Sequence, residues 1–113
     1  MDIADRIEQA LEGICPVYTG VPEFADNEPA EYIIYSITEA GADYSEGENR
    51  VNQYYISLNV FTGALNFALY ERIRAAMYKA GFLYGSGGMA GTDAIFPHIT
   101  HYYLDFTGVE ERG

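Results

Sequence analysis

The chain has 113 residues, of which 49% are apolar and 20% charged, and this composition excludes an intrinsically disordered protein. Six Lys and Arg against 17 Asp and Glu give a net charge of −11, which argues against a protein that binds nucleic-acid phosphates or anionic lipid. The single cysteine, Cys15, excludes an intramolecular disulfide and favours a reducing compartment. The first residues lack a signal-peptide pattern, and no apolar run is long enough to span a membrane.

The first predicted element is a helix over residues 2–12. Ile3, Ile7 and Leu11 recur at the spacing that places apolar side chains on one helical face. Asp2 precedes this pattern and is a suitable cap for the helix N-terminus.

Extended structure is predicted after this helix. Residues 16–30 contain three prolines, so they form a connector with at most a short edge strand at Val17-Tyr18. Residues 31–38 are β-branched and aromatic, and residues 51–62 alternate between two faces, so each segment is predicted to be a strand. Residues 39–50 between them form a protruding acidic loop that is longer than a hairpin turn.

The second half of the chain repeats a helix followed by strands. A helix is predicted over residues 64–80, a short strand over 82–84, a glycine-rich loop over 85–91, a last strand over 96–107 and a flexible tail over 108–113. The whole pattern predicts an α+β fold in a single domain spanning all 113 residues, with element order α-β-β-α-β-β. An antiparallel or mixed sheet of about four strands, with two helices packed on one face, buries both helical stripes.

The charges are divided unevenly along this chain. Residues 1–49 carry twelve acidic residues and one base, Arg6, whereas residues 50–113 carry five of each. Three of the later bases fall within eight residues and face away from the apolar stripe of their helix: Arg72, Arg74 and Lys79. The division indicates either a solvated surface that keeps the protein soluble or a head-to-tail contact between the acidic half of one subunit and the basic segment of the next.

Three features resemble chemical motifs, and each has a plainer interpretation. His98 and His101 lie in a predicted strand, where residues three apart point to opposite faces and do not share one metal ion. Cys15 has no neighbouring group in the sequence that would lower its pKa, so a small buried apolar residue is expected. Gly85–Gly88 lacks both the lysine and the following helix of a phosphate-binding loop, so a flexible connector is expected.

The acidic loop and the paired tyrosines also leave two interpretations each. The loop acids do not match a calcium-binding loop, although weak binding of Ca²⁺ or Mg²⁺ at an assembly interface stays an alternative. The tyrosines form either a ligand platform or a sheet core with one exposed face; they are Tyr54, Tyr55, Tyr102 and Tyr103. The sequence therefore predicts no catalytic residue, no cofactor and no metal site.

Several segments together resemble a known family. Pro16–Pro22 reads PVYTGVP and is followed, after a short polar run, by Tyr32–Ile34. This stretch resembles the opening segment of the small tail-completion, or tail-terminator, proteins of long-tailed bacteriophages and prophages. Tyr54–Thr62, leading into the helix 64–80, is similar to the family's next unit, and Tyr102–Phe106 resembles its closing strand. The resemblance covers nearly all of the chain.

The resemblance implies a non-enzymatic assembly protein, made in the cytoplasm of an infected bacterium and carried in the virion tail. Such proteins form rings, typically hexamers, that cap the tail tube, stop its polymerisation and offer a surface to the head connector. The expected partners are further copies of the chain, the tail-tube protein and the head connector protein, without sequence-specific nucleic acid or membrane. The expected interface residues are Arg72, Arg74, Lys79, Glu39, Asp43, Glu46, Glu48 and Arg50.

Two alternatives stay open. The first is a head–tail connector or neck protein of similar topology. The second is a small-molecule binding module or enzyme that uses the tyrosine-rich sheet and the glycine-rich segment. The segments 85–91 and 39–48 depart from the family's pattern, so they do not distinguish these roles.

Overall fold

A computed structural model describes residues 2–20, 29–42, 51–63, 66–92 and 100–111. The elements are α1 (Ile3–Ala10), β1 (Val17–Thr19), β2 (Glu31–Ala42), β3 (Val51–Thr62), α2 (Phe67–Lys79), β4 (Leu83–Thr92) and β5 (Thr100–Glu111). Two helices and one sheet confirm the α+β class. The predicted count of about four strands, and the predicted order, were wrong because the short edge segment after Pro16 joins the sheet as a fifth strand.

The five strands form one mixed sheet in the order β1-β2-β3-β5-β4. β1 runs parallel to β2, and every other neighbouring pair is antiparallel. The register places Tyr35 opposite Leu58, and Leu58 opposite Leu104. Because side chains alternate between faces along a strand, this register puts the same apolar positions of three strands on one face.

Side chains cap the N-termini of both helices, and a glycine follows the C-terminus of α2. The Asp2 carboxylate accepts a hydrogen bond from the Asp5 backbone N–H at 2.8 Å, and the Asn66 side chain accepts one from the Leu69 backbone N–H at 3.1 Å. These caps satisfy N–H groups that have no partner inside a helix. Gly81 follows α2 with a φ of +96°, a conformation that glycine adopts without strain. Neither described helix has the length and apolar character needed to cross a bilayer.

The core lies between the two helices and one face of the sheet, as predicted. Its buried members come from both helices, from β2, β3 and β5, and from the segment before β4: Ile3, Ile7, Leu11, Ile33, Tyr35, Ile56, Leu58, Val60, Leu69, Tyr70, Ile73, Met77, Phe82, Tyr102, Leu104 and Phe106. Burial of this apolar surface is the main force that stabilises the fold.

The opposite face of the sheet carries no helix within the described residues. We call it the open face. It presents the side chains that alternate with the core positions: Ile34, Ser36, Thr38, Tyr55, Ser57, Asn59, Phe61, His101, Tyr103, Asp105 and Thr107. Tyr55 is 55% exposed. A mixed, mostly antiparallel sheet with one helix-covered face and one uncovered face is therefore the layer arrangement of the described residues.

The glycine-rich segment predicted as a loop is strand. Residues 85–91 lie within β4, which pairs with β5 and has register shifts between Tyr84 and Ser86 and between Met89 and Gly91. Gly87 explains why glycine occurs here, because a Cβ at this position would lie 2.5 Å from the Tyr70 hydroxyl. The absence of a side chain lets the strand pass directly against α2.

Two other strands continue beyond their predicted C-terminal ends. β2 continues to Ala42 beyond an irregularity between Glu39 and Gly41, and β5 continues to Glu111, so residues 108–111 are strand rather than tail. Gly108 permits this continuation, since a Cβ there would lie 2.8 Å from the Phe82 ring. Residues 43–50 of the predicted acidic loop and 93–99 lie outside the described residues.

Candidate functional site

The three bases of α2 that were predicted to lie at an interface are exposed, but they face different neighbours. The Arg74 guanidinium lies over the ring of Tyr84, 3.9 Å from its centroid, and therefore points toward β4. Arg72 is close enough to Cys15 for its positive charge to lower the pKa of that thiol, an effect that burial and Glu31 outweigh. Residues two apart on a helix are rotated by about 200°, which accounts for the opposite directions of Arg72 and Arg74.

Lys79 faces a third direction. It lines a groove between the helices together with Arg6, Gln9 and Glu12 of the α1 region. Arg6 is held in place by its donation to the Val109 carbonyl at 2.8 Å and by its position over the Phe82 ring. The predicted basic segment is therefore divided among two sides of α2 and the groove between the helices.

Arg74 belongs to a cluster that attaches β4 to α2. The hydroxyls of Tyr70 and Tyr84 are 2.9 Å apart, and the Tyr70 ring packs against Tyr102 with centroids 5.7 Å apart. Burial raises the pKa of Tyr70 to about 12, and the hydrogen bond with Tyr84 adds to the shift. The hydroxyl of Tyr70 is therefore protonated at physiological pH. The cluster fixes Arg74 at the β4 side of the molecule.

Acidic side chains lie toward the opposite side of the sheet. Asp5, Glu8 and Glu12 of the α1 region are exposed. Burial raises the pKa of Tyr35 on β2, and the negative charges of α1, Glu8 foremost, raise it further. Glu8 on α1 therefore lies near the Tyr35 side chain. Glu39, further along β2, is also exposed.

The remaining predicted interface residues have no structural placement. Asp43, Glu46, Glu48 and Arg50 lie outside the described residues. Among the predicted interface residues that are described, Glu39 lies on β2, whereas Arg74 lies over β4 at the other end of the sheet. The described part of the set therefore does not form one patch, because Arg72, Arg74 and Lys79 also face in three different directions.

A shallow pocket on the open face contains an acidic group. Its volume is about 330 Å³, and its lining includes Ser36, Tyr55 and Asp105. The Asp105 carboxylate accepts hydrogen bonds from Ser57 Oγ at 3.0 Å and from Ser86 Oγ at 3.3 Å. Two hydroxyl groups and a carboxylate in one row of the sheet suit the binding of a cationic or hydrogen-bonding group of a ligand. These three side chains do not form the nucleophile and general-base pair of a catalytic site.

His101 takes part in an aromatic row that the sequence analysis did not predict. Its ring stacks on Phe61 with centroids 4.6 Å apart, and Phe61 stacks on Tyr32 at 5.1 Å. Its Nε2 lies 2.8 Å from the Asn59 side-chain oxygen. The alternation within each strand places Tyr32, Phe61 and His101 on the same face as their neighbours at every second position. Only the register between the strands shows that the three rings lie side by side. His98 lies outside the described residues.

The structure also places the other candidate groups. Burial raises the pKa of Cys15 to about 11, so its thiol is protonated at neutral pH. Within the described residues, no group of three or more His, Cys, Asp or Glu side chains is arranged to hold a metal ion. Tyr102 is buried and its hydroxyl accepts from the Asn66 backbone N–H at 3.0 Å, whereas Tyr55 is exposed on the open face.

Comparison with known proteins does not assign the chain to a family. No protein-family model matches the sequence, and no curated protein matches it either.

Proposed function

We propose that this chain is a non-enzymatic structural protein of a long-tailed bacteriophage or prophage, which caps the tail tube as a ring and forms the surface to which the head docks. The resemblance of Pro16–Pro22, Tyr54–Thr62 and Tyr102–Phe106 to tail-completion proteins supports the proposal. The observation that carries it in the fold is the distance between two opposite charges: Arg74 is fixed at β4, and Glu39 is exposed on β2 toward the other end of the sheet, where Arg72 lies near Cys15.

Such a separation is what a repeating contact between identical subunits requires. A head-to-tail contact joins two different surfaces of the same chain, and it produces a closed ring when the rotation between neighbours closes. Complementary charges on the two surfaces set the orientation of neighbours and discourage contacts between like surfaces. Glu8 and Glu39 on the β2 side and Arg74 on the β4 side meet this requirement.

The proposed assembly has further copies, the tail-tube protein and the head connector protein as partners, and a hexamer is the expected ring. Assembly takes place in the bacterial cytoplasm, and the product resides in the virion tail. The ring needs no cofactor, because its role is to occupy the end of the tube and stop further addition of subunits.

The experiment is a binding assay with isolated tail tubes and filled heads, read by electron microscopy. Binding of one ring at a single end of each tube, here called the capped end, with no further tube growth, is the expected result. Binding to filled heads but not to tubes identifies a connector or neck protein instead. The absence of binding to either, combined with a monomer at every concentration, contradicts a structural role.

Charge reversal provides the variants for this assay. Arg74→Glu tests the β4 side, and Glu8→Arg tests the β2 side, where the acidic α1 faces Tyr35. Each change is expected to reduce ring formation while the monomer stays folded. Gln9→Glu, on the same helix as Glu8, is the matched control. It adds an acid to a helix surface that is already acidic, so the negative charge of that surface is kept.

A further inference from the structure

The outer edge of β4 is available for strand pairing. β4 is the last strand of the sheet and pairs on one side with β5; within the described residues its other side pairs with no strand. Its ten residues include no charged residue and no proline. Leu83 is 65% exposed and Met89 is 56% exposed. Exposed edges of this length are sites for pairing with another chain, and proteins usually block them with charges or proline.

The other end of the sheet has a complementary edge. β1 pairs with β2 only at Ile33, Ile34 and Tyr35. From Ser36 to Ala42 the outer side of β2 has no strand partner within the described residues. β2 is therefore an edge strand over its second half, although it is covered over part of its first half.

The strand directions of these two edges fit each other. β2 and β5 run in the same direction, because each is antiparallel to β3, and β4 runs opposite to both. When two copies lie side by side in the same orientation, β4 of one copy is therefore antiparallel to β2 of the next. Because β1 occupies the edge beside Ile33–Tyr35, the pairing is staggered along the strands, and closed sheets contain such a stagger.

The charges at these edges also fit. Arg74 lies over Tyr84 on the helix-covered side of β4. Glu39 follows Tyr35 and Ile37 at alternate positions on β2, so it lies on the same helix-covered side, and it is exposed. Pairing of the two edges brings a guanidinium and a carboxylate of opposite charge to the same side of one junction.

We propose that a second copy of this chain binds by strand addition, with β4 of one subunit pairing antiparallel with the Ser36–Ala42 edge of β2 in the next, and with Arg74 facing Glu39 across the junction. The inference rests on the proposed function, since it specifies the contact that joins the subunits of the ring. Backbone hydrogen bonds supply the contact, and the charge pair selects the neighbour and the register.

Hydrogen exchange measures the proposed pairing directly. Amides are compared between the monomer and the assembled form, in solution or on tube ends. Peptides covering 83–92 and 36–42 are expected to exchange at least tenfold more slowly in the assembly. Peptides from the centre of β3, which is paired on both sides in the monomer, are the internal control. Assembly with unchanged exchange in β4 and β2 overturns the pairing and leaves the proposed function intact.

A charge swap tests the register. Arg74→Glu and Glu39→Arg are each expected to lower the assembled fraction at least fivefold, and the double variant is expected to restore it. Arg74→Glu combined with Glu12→Arg is the matched control, because it has the same net charge but places the new base in the groove between the helices. Rescue of assembly by Glu12→Arg overturns the proposal, as does an assembled fraction that Arg74→Glu leaves unchanged.

The two proposals fail in different ways. Slower exchange in β4 together with rescue by Glu39→Arg, but no binding to tubes or heads, supports strand addition and contradicts the tail-cap role. A discrete two-subunit species protected only in β4 shows β4 pairing with itself, which overturns the head-to-tail pairing.

Discussion

The guanidinium of Arg74 lies 3.9 Å from the ring centroid of Tyr84, and this contact joins α2 to the edge strand β4. A cation over an aromatic ring at an exposed site contributes about 0.5–1 kcal/mol. The contact makes the direction of Arg74 a property of the folded monomer. A basic side chain predicted to be free for an assembly contact is thus already positioned before any assembly.

The first prediction concerns this contact. Arg74→Ala is expected to lower the free energy of unfolding by about 0.5–1 kcal/mol, because the cation over the ring is lost. Arg74→Lys retains the charge and is expected to lose less. Urea unfolding at a concentration where the protein is monomeric measures both values. Equal stability of Arg74→Ala and the unmodified chain shows that the stacking contributes nothing.

The second prediction compares two neighbouring glycines. Gly87→Ala is expected to destabilise the protein by about 1–3 kcal/mol, because its Cβ would lie 2.5 Å from the Tyr70 hydroxyl and 2.8 Å from the Tyr103 carbonyl oxygen. Gly88→Ala is the matched control, since its Cβ would meet only the Tyr103 ring at 3.8 Å or more, an ordinary contact. The thermal unfolding midpoints of the two variants measure the difference in stability. Equal midpoints contradict the close approach of α2 to Gly87.

These glycines also show how far the sequence determines the fold. The alternating residues 51–62 predict β3 with the bounds that the structure has, because the period of two is local information. Residues 85–91 were predicted as a loop because glycine is a poor strand former by itself. What makes them a strand is their pairing with β5, and the approach of α2 explains the glycine at position 87; both are contacts between distant parts of the chain.

The predicted interface residues also show which features follow from local sequence and which follow only from the fold. Helical spacing alone places Arg72 and Arg74 on opposite sides of α2, so the sequence contained the evidence that they do not share one patch. The neighbours of each base depend on the sheet order, which local patterns do not reveal. The edge status of β4 and of the second half of β2 follows only from that order.

The third prediction concerns alkaline pH. The pKa of Tyr70 in the folded protein is about 12, above the ordinary tyrosine value of 10. The protonated Tyr70 hydroxyl therefore contributes stability that is fully present below pH 10 and is lost as the pH rises toward 12. Tyr70→Phe is expected to show a shallower loss of stability over this window. Urea unfolding at several pH values measures how the free energy of unfolding changes with pH. The same pH dependence in Tyr70→Phe and the unmodified protein contradicts the raised pKa of Tyr70.

The fourth prediction concerns Cys15. Because burial, and then the charge of Glu31, raises the pKa of the thiol to about 11, alkylation at pH 8 is expected to be about tenfold or more slower in the folded protein than in the unfolded chain. A mass-spectrometric time course with iodoacetamide, with and without denaturant, measures the two rates. Equal rates would show a reactive thiol and would reopen its chemical interpretation.

We propose that copies of this chain form a closed ring, and the absolute mass of the assembled protein, measured by light scattering, gives its number of subunits. The series extends to high protein concentration and includes samples bound to tube ends, where the number of subunits per end is counted by electron microscopy. A closed hexamer gives one discrete species of six chains of 12.6 kDa, about 76 kDa, in solution or six subunits at the capped end of each tube. A monomer in solution that also leaves both tube ends bare contradicts ring assembly.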